Sequence, residues 1–457
     1  MASQNPPLAV QAFIDERKMS RFQIVTLLLC FFILLLDGYD TVVVGYIAPS
    51  LKAQFGLLPP QLAPMFGAGL FGLTIGSFAF GPVADRFGRK TTLIFSTALF
   101  GLISIASAWS GSIHSLTVLR FLTGLGLGGA MPNAYTLAAE YCPTRLRATL
   151  VAPIGCGIGA GGAVGGLIAA PLIHAFGWPV MLIVGGVFPL VLIPVLMRYL
   201  PESARYLAAR GDREEPVRAI LKQIDASADV ANRAIAKPDS VAKGSPIGAL
   251  LRPGLGGGTI LLWITAFMTL LVIYFLGNWL PLLIQRGGVS FHDASLMTSI
   301  YLTGNTIGAL ILGYLMDRTN PQFVLAAAFI AAALALATFG HLDGAGWPAF
   351  ALLFITGCGT GGTMTGTNIL SAVYYPTTMR ATGVAWTLGM GRVGSIVGSM
   401  IGGAMLAAHM DLPVIFGVIA APVVVAAISV SLLSVYRARH PQTGATLEPP
   451  VAEPLAQ

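Results

Sequence analysis

Long apolar stretches separated by short polar turns set the pattern of this chain. About 20 consecutive apolar residues span a bilayer as a helix. Twelve stretches reach that length, near 23–47, 62–83, 91–109, 115–140, 148–172, 178–199, 258–284, 294–315, 321–340, 347–373, 381–407 and 412–436. Six lie on each side of one long polar interval, 200–256, which opens with Pro201-Glu-Ser-Ala-Arg205 and mixes Arg, Lys, Asp and Glu. The pattern predicts two six-helix bundles, 1–200 and 257–437, joined by a cytoplasmic linker at 201–256 with short amphipathic helices. The remainder, 438–457, is rich in Pro, Gln and Thr and reads as a disordered cytoplasmic tail.

Composition agrees that lipid is the solvent. Charged residues make up 10% of the chain and hydrophobic ones 55%, with a mean hydropathy of +0.78, where a soluble protein carries about 25% charged residues. With the N-terminus placed in the cytoplasm, only Lys52 and Arg286 of the 26 Lys and Arg fall outside, and only Arg120 and Arg392 fall within spans. This is the positive-inside pattern, and it puts both termini in the cytoplasm. A basic surface against anionic lipid headgroups accounts for the net charge of +7, so no nucleic-acid partner is expected. Asp15-Glu16-Arg17-Lys18 precedes the first span with no small-residue cleavage site behind it, so no cleaved leader is expected. Cys30, Cys142, Cys156 and Cys358 lie in spans or at cytoplasmic helix ends, which argues against a disulfide framework. Neither they nor the histidines, most of them in exterior turns, have metal-ligand spacing, so no metal site is expected.

The two halves are copies of one another. Thr123, Gly124, Gly126, Gly128, Gly129 and Met131 return as Thr356, Gly357, Gly359, Gly361, Gly362 and Met364, a shift of 233 residues. The echo continues from Tyr141–Thr149 to Tyr374–Thr382 and from Asp85-Arg86 to Asp317-Arg318. In a membrane chain, parallel repeats point to a transporter with its site between the halves. Gly161 and Gly165 share the register with Gly394 and Gly398. Small residues four apart let helix backbones approach closely in lipid, either as static packing or as faces that slide during a transport cycle.

Charge at the cytoplasmic turns suggests gates. In Gly81-Pro-Val-Ala-Asp85-Arg86-Phe-Gly88-Arg89-Lys90, Asp85 is placed to face a helix N-terminus, where a carboxylate is favoured. Arg86 and Arg89 can pair with acids on neighbouring helix ends. Asp317, Arg318 and Arg380 are the second-half members of this set. Glu140 lies beside Arg145 and Arg147, where a gate salt bridge is expected. The plainer reading of all these charges is that they set topology.

The same segment matches the loop signature of the major facilitator superfamily. Arg120-Phe-Leu-Thr-Gly124-Leu-Gly126 resembles that superfamily's fourth-helix motif, and Pro201–Arg205 the motif after helix six. Leu36-Asp37-Gly38-Tyr39-Asp40-Thr41 followed by Gly45-Tyr-Ile-Ala-Pro49-Ser-Leu51 resembles the aromatic acid:proton symporter family, although Val83 replaces the commoner leucine of the loop motif. The resemblance implies an all-α integral membrane protein of twelve transmembrane helices, in two parallel six-helix repeats around a central cavity. It also implies proton-coupled import of a benzoate-type acid, such as 4-hydroxybenzoate or protocatechuate, across a bacterial cytoplasmic (inner) membrane. No cofactor is expected beyond the coupling proton, and the carrier is expected to be monomeric.

The residues within the membrane carry their own argument. A charge inside lipid costs about 2.5–3.5 kcal/mol on insertion scales, and Asp37, Asp40, Arg120 and Arg392 lie within spans. In the repeat register they align with Leu270–Ile273, Leu353 and Gly159, so they break the internal symmetry that the loop charges Asp85 and Arg147 keep. Asp37 and Asp40, three apart on one helix face, are expected to form a proton-coupling network with Arg120 and to titrate as a pair. The alternative is a static ion pair that fixes packing. Arg392 needs a partner, either a substrate carboxylate held bidentately or an acid from the first half. Tyr39, Tyr135, Tyr274, Trp279, Tyr301 and Trp386 are candidates for an aromatic wall, and Asn133, Asn278, Asn305 and Asn368 for ring hydroxyls. Interfacial or packing roles are the alternative for each.

No nucleophile–base pair, metal cluster or Walker-type loop occurs in the sequence, so neither an enzyme nor an ATP-driven pump is expected. Symport of another organic acid or a sugar, and drug/proton antiport, are the competing transport readings.

Overall fold

The computed structural model describes residues 8–210, 214–228, 234–236, 247–342, 344–376 and 379–439. The tail expected to be disordered beyond residue 439 lies outside these residues. Twelve long helices run through the described residues. The first six are α1 (Arg21–Phe55), α2 (Ala63–Phe87), α3 (Arg89–Ser107), α4 (Ile113–Glu140), α5 (Arg147–Phe176) and α6 (Pro179–Tyr199). The second six are α7 (Gly256–Arg286), α8 (Phe291–Arg318), α9 (Pro321–Phe339), α10 (Trp347–Tyr374), α11 (Arg380–Ala407) and α12 (Leu412–Arg439).

Ten of the twelve are long and apolar enough to cross a membrane by composition alone. The other two, α4 and α10, are repeat partners. Their Gly, Thr and Asn residues lower their hydropathy, and both are packed deeply among neighbouring helices, α4 on α2 and α3, α10 on α8 and α9. Protein rather than lipid is the main solvent of these two helices.

Helix pairing repeats from half to half. The α2–α4, α1–α5, α3–α4 and α3–α6 contacts of the first six return as α8–α10, α7–α11, α9–α10 and α9–α12 in the second. Glycine makes the closest of these approaches possible. A methyl at Gly161 would overlap the Leu35 carbonyl of α1, and methyls at Gly394 and Gly398 would overlap the Phe267 and Leu271 carbonyls of α7. This glycine register therefore packs helices inside each half. A second glycine face of α5 lies on the seam between halves, with Gly159, Gly162 and Gly166 against Thr306, Leu302 and Ser299 of α8.

Other contacts across the seam lie toward the helix ends remote from the chain termini. Gly45 abuts Gly277 and Asn278, and Gly67 abuts Met400. Phe66 packs edge-on against Trp279 with ring centroids 4.9 Å apart.

α1 is longer than the apolar run predicts. A Ser20–Gln23 capping box starts it, and Gly56, with φ of 61°, ends it after Phe55. At about 1.5 Å per residue it overshoots the hydrocarbon layer. Asp37 and Asp40 consequently sit near its middle.

On the terminal side, a short helix at Val10–Asp15 straps the turn between α4 and α5. Asp15 accepts hydrogen bonds from the Thr144 backbone and hydroxyl at 2.6 and 2.8 Å. Arg17 pairs with Asp225 at 2.8 Å, behind the linker helix Glu214–Ile224.

Candidate functional site

The first site lies inside the first half. α1 presents Asp40 and α4 presents Arg120, and the guanidinium donates to Asp40 Oδ2 at 3.1 Å. Both side chains are sealed, at 2% and 3% exposure. Hydroxyls complete the shell. Ser104 of α3 donates to Asp40 Oδ1 at 2.8 Å, and Arg120 Nη2 reaches Ser107 at 3.3 Å and Thr123 at 3.1 Å. The pair borders a small cavity lined also by Thr41, Met65, Phe66 and Asn278. Ser104, Ser107 and Thr123 are absent from the sequence-derived set, since a serine or threonine in a span carries no signal until its neighbour is known.

Asp37 does not join that network, contrary to the expectation from helix spacing. It accepts a hydrogen bond from Thr41 at 3.3 Å, and its Oδ2 is buried without a hydrogen-bond partner among the described residues. Its electrostatic neighbours are Arg392 first and Asp40 last. Three residues on a helix turn the side chain by about 60°. That rotation sends Asp40 into the first half and Asp37 toward the second.

A second cluster therefore forms between the halves, from α1, α4, α7 and α11. Asp37, Tyr135, Tyr274 and Arg392 lie close enough to influence one another electrostatically, with Tyr274 in hydrogen-bonding reach of the guanidinium. Arg392 Nη2 contacts the Met131 thioether at 3.0 Å. No carboxylate forms an ion pair with Arg392 among the described residues.

The walls beside this cluster follow the repeat. On α4, Met131, Pro132, Tyr135 and Thr136 are accessible while Asn133 and Ala134 are buried. On α10 the equivalent Met364, Thr365, Asn368 and Ile369 are accessible while Gly366 and Thr367 are buried. Because Met131 touches Arg392, this face of α4 points at the other half, and the matching face of α10 holds the equivalent place.

The profile described as Major Facilitator Superfamily matches residues 30–290 and 262–457. The chain is 40% identical to a gallate transporter of Pseudomonas putida over 424 residues, 93% of this chain and 94% of that one. It is 39% identical to a 4-hydroxybenzoate transporter of Pseudomonas putida over 93% of this chain and 95% of that one.

The chain belongs to the major facilitator superfamily, in its aromatic-acid transporter family. Among solved structures, a D-xylose-proton symporter superposes with a TM-score of 0.70 at 20% identity, covering 89% of this chain and 97% of that one, which establishes the shared fold. The protein is thus a multi-pass membrane transporter and not an enzyme.

The superfamily's loop signature is locked to the segment after α6. Glu202 Oε1 accepts from the backbone N–H of Arg89 at 2.7 Å and of Lys90 at 3.1 Å, so it caps α3. Gly88, with φ of 100°, is needed there, since a side chain would strike that carboxylate. Asp85, expected at this helix terminus, is 71% exposed and pairs with Arg89 at 2.8 Å. The cap is filled from a distant segment that loop spacing does not reveal. Glu202→Ala is expected to cost about 1–2 kcal/mol of stability through the lost charged cap, seen as a lower melting temperature in detergent with cargo affinity unchanged.

Glu140 departs from its expected partners in the same way. It accepts from the Ser203 hydroxyl and lies in the field of Arg89 and Arg205. Arg145 turns instead to the carbonyls of Asp15 and Arg17. Arg86 is exposed, with its carbonyl accepting from Tyr206 and Arg210 and its guanidinium over the Phe87 ring. Arg147 and Arg380 each bury an Nε without a hydrogen-bond partner among the described residues. Asp317 is exposed, and Arg318 lies over the Tyr314 ring.

Several candidates for the aromatic wall are packing residues. The Tyr39 hydroxyl donates to the Met181 carbonyl at 2.9 Å inside the first half. Tyr301 meets Thr360 within the second half. Trp279 donates to the Ser399 carbonyl at 2.8 Å. Asn133 and Asn305 spend their amides on the Gly129 and Tyr301 carbonyls of their own helices. Asn278 donates to Ser399 at 2.8 Å while lining the cavity beside Asp40. Trp386 is exposed on α11, 6.0 Å from the Trp263 ring. Helix packing engages polar groups of Tyr39, Tyr301, Trp279, Asn133, Asn278 and Asn305, whereas Trp386 stands exposed.

Proposed function

We propose that the chain imports an aromatic carboxylic acid together with protons, by alternating access across a bacterial cytoplasmic membrane with both termini inside. The observation that carries this reading is Arg392, a guanidinium between the halves that is met by the Met131 thioether and the Tyr274 hydroxyl and by no carboxylate among the described residues. A half-buried cation with only neutral partners is suited to a ligand that brings its own negative charge. Tyr135 and Tyr274 flank it with aromatic faces and hydroxyls, and the relatives named above carry gallate and 4-hydroxybenzoate.

Asp40 and Arg120 form the coupling element in this scheme. With Asp40 charged, the ion pair is closed. Protonation from the outside weakens it and frees Arg120, which biases the two halves toward rocking. Asp37 lies between this pair and Arg392 and relays the effect.

Uptake of radiolabelled 4-hydroxybenzoate by cells expressing the chain tests this reading, with and without a protonophore. Uptake that collapses with the gradient is the expected result, and its absence in well-expressing cells removes this cargo. Arg392→Lys should raise the apparent KM on the order of tenfold, because an ammonium cannot hold a carboxylate bidentately. An unchanged KM would remove carboxylate recognition from Arg392.

A further inference from the structure

Arg392 meets Met131 across the two halves, Nη2 from α11 and Sδ from α4, 3.0 Å apart. A thioether is among the weakest acceptors a protein offers. Asp37, which lies in the field of Arg392, makes no ion pair with it. We propose that Met131 is a resting partner of Arg392 that the cargo carboxylate displaces, so that binding trades a link between the halves for a link to the cargo. This rests on the reading that Arg392 takes the carboxylate.

Three features support the exchange. A half-buried guanidinium with no acceptor beyond the Tyr274 hydroxyl would be costly. One paired to a carboxylate or amide would have to surrender that bond before cargo could bind. The thioether stands between these cases, shielding the cation while leaving most of the affinity for a carboxylate intact. Met131 is also only half-buried. It lies on the accessible face of α4 beside Pro132, and its three side-chain torsions let the sulfur swing aside. Finally, the contact breaks the repeat symmetry. Met131 has a twin in Met364, but the twin position of Arg392 is Gly159, which faces Thr306 of α8. The thioether–guanidinium link thus belongs with Asp37, Asp40 and Arg120 among the features present on one side only.

The test is calorimetric binding of 4-hydroxybenzoate to the purified full-length carrier and to two variants. In Met131→Gln the amide oxygen accepts strongly from the guanidinium and competes with the cargo, so Kd should rise on the order of tenfold. In Met131→Leu the volume is kept and the acceptor removed, so Kd should stay the same or fall. In an Arg392→Lys background the difference between Gln and Leu should shrink, because the residue at 131 acts through the guanidinium. Equal shifts in the two variants, or a Gln effect that persists in full without Arg392, would overturn the proposal and leave Met131 a matter of shape. If Arg392→Lys alone leaves Kd unchanged, the carboxylate reading itself fails, and the displacement model falls with it.

Discussion

Asp40→Asn will yield a carrier that equilibrates its cargo but no longer accumulates it. The carboxylate sits at 2% exposure, takes a hydrogen bond from Ser104 at 2.8 Å and pairs with Arg120 at 3.1 Å. Asparagine keeps nearly the same volume and one acceptor oxygen, and its amide N–H stands where the acid's O–H would, so it imitates the protonated acid permanently. Opening and closing of the ion pair can then no longer follow the proton gradient. Counterflow exchange in proteoliposomes should survive, while uptake against a gradient should stop at the external concentration with or without a protonophore.

Arg120→Ala is the harsher change. It leaves a charged carboxylate sealed and unpaired, a loss of about 3–5 kcal/mol, and should appear first as poor yield of folded protein. Retained protonophore-sensitive accumulation in Asp40→Asn would make the pair a static packing element.

The second large effect is structural. Gly161→Ala is expected to collapse the first half, because the added methyl would overlap the Leu35 carbonyl on α1. The neighbour is backbone and cannot rotate away, so α1 itself must shift, and overpacking of this kind costs at least about 1–3 kcal/mol. α1 also carries Asp37 and Asp40, so any molecules that fold should bind cargo poorly. Gly394→Ala should behave alike in the second half, where the obstacle is the Phe267 carbonyl of α7. Gly313→Ala is the control, since nothing lies within 4 Å of that position. Fluorescence-detected size exclusion and melting temperature would check all three. A well-behaved Gly161→Ala protein would show that α1 and α5 are not locked.

The repeat, the hydrophobic runs and the placement of cationic residues were enough to read twelve long helices from sequence, because lipid leaves a backbone few ways to satisfy its hydrogen bonds. α4 and α10 are instructive. Their glycine and threonine content takes them below a hydropathy threshold, yet the repeat between Thr123 and Thr356 identifies them. The charges within spans were legible for the same reason, since a charge in lipid demands a use.

Partnership was not legible. Asp37 and Asp40 share a helix face by spacing, yet a turn of about 60° in side-chain direction gives one to Arg120 and the other to the cluster around Arg392. Tyr39, Tyr301 and Trp279 have the chemistry of a binding wall, but carbonyls and hydroxyls of adjacent helices consume their polar groups. Met131 and Glu202 carried no signal as site residues, because a thioether opposite an arginine and a carboxylate over a distant helix end exist only once the chain is folded. Sequence alone determined which residues must avoid lipid. Tertiary packing decided which of them face one another, because contacts between helices depend on rotation and depth, and neither is written in the spacing along a single helix.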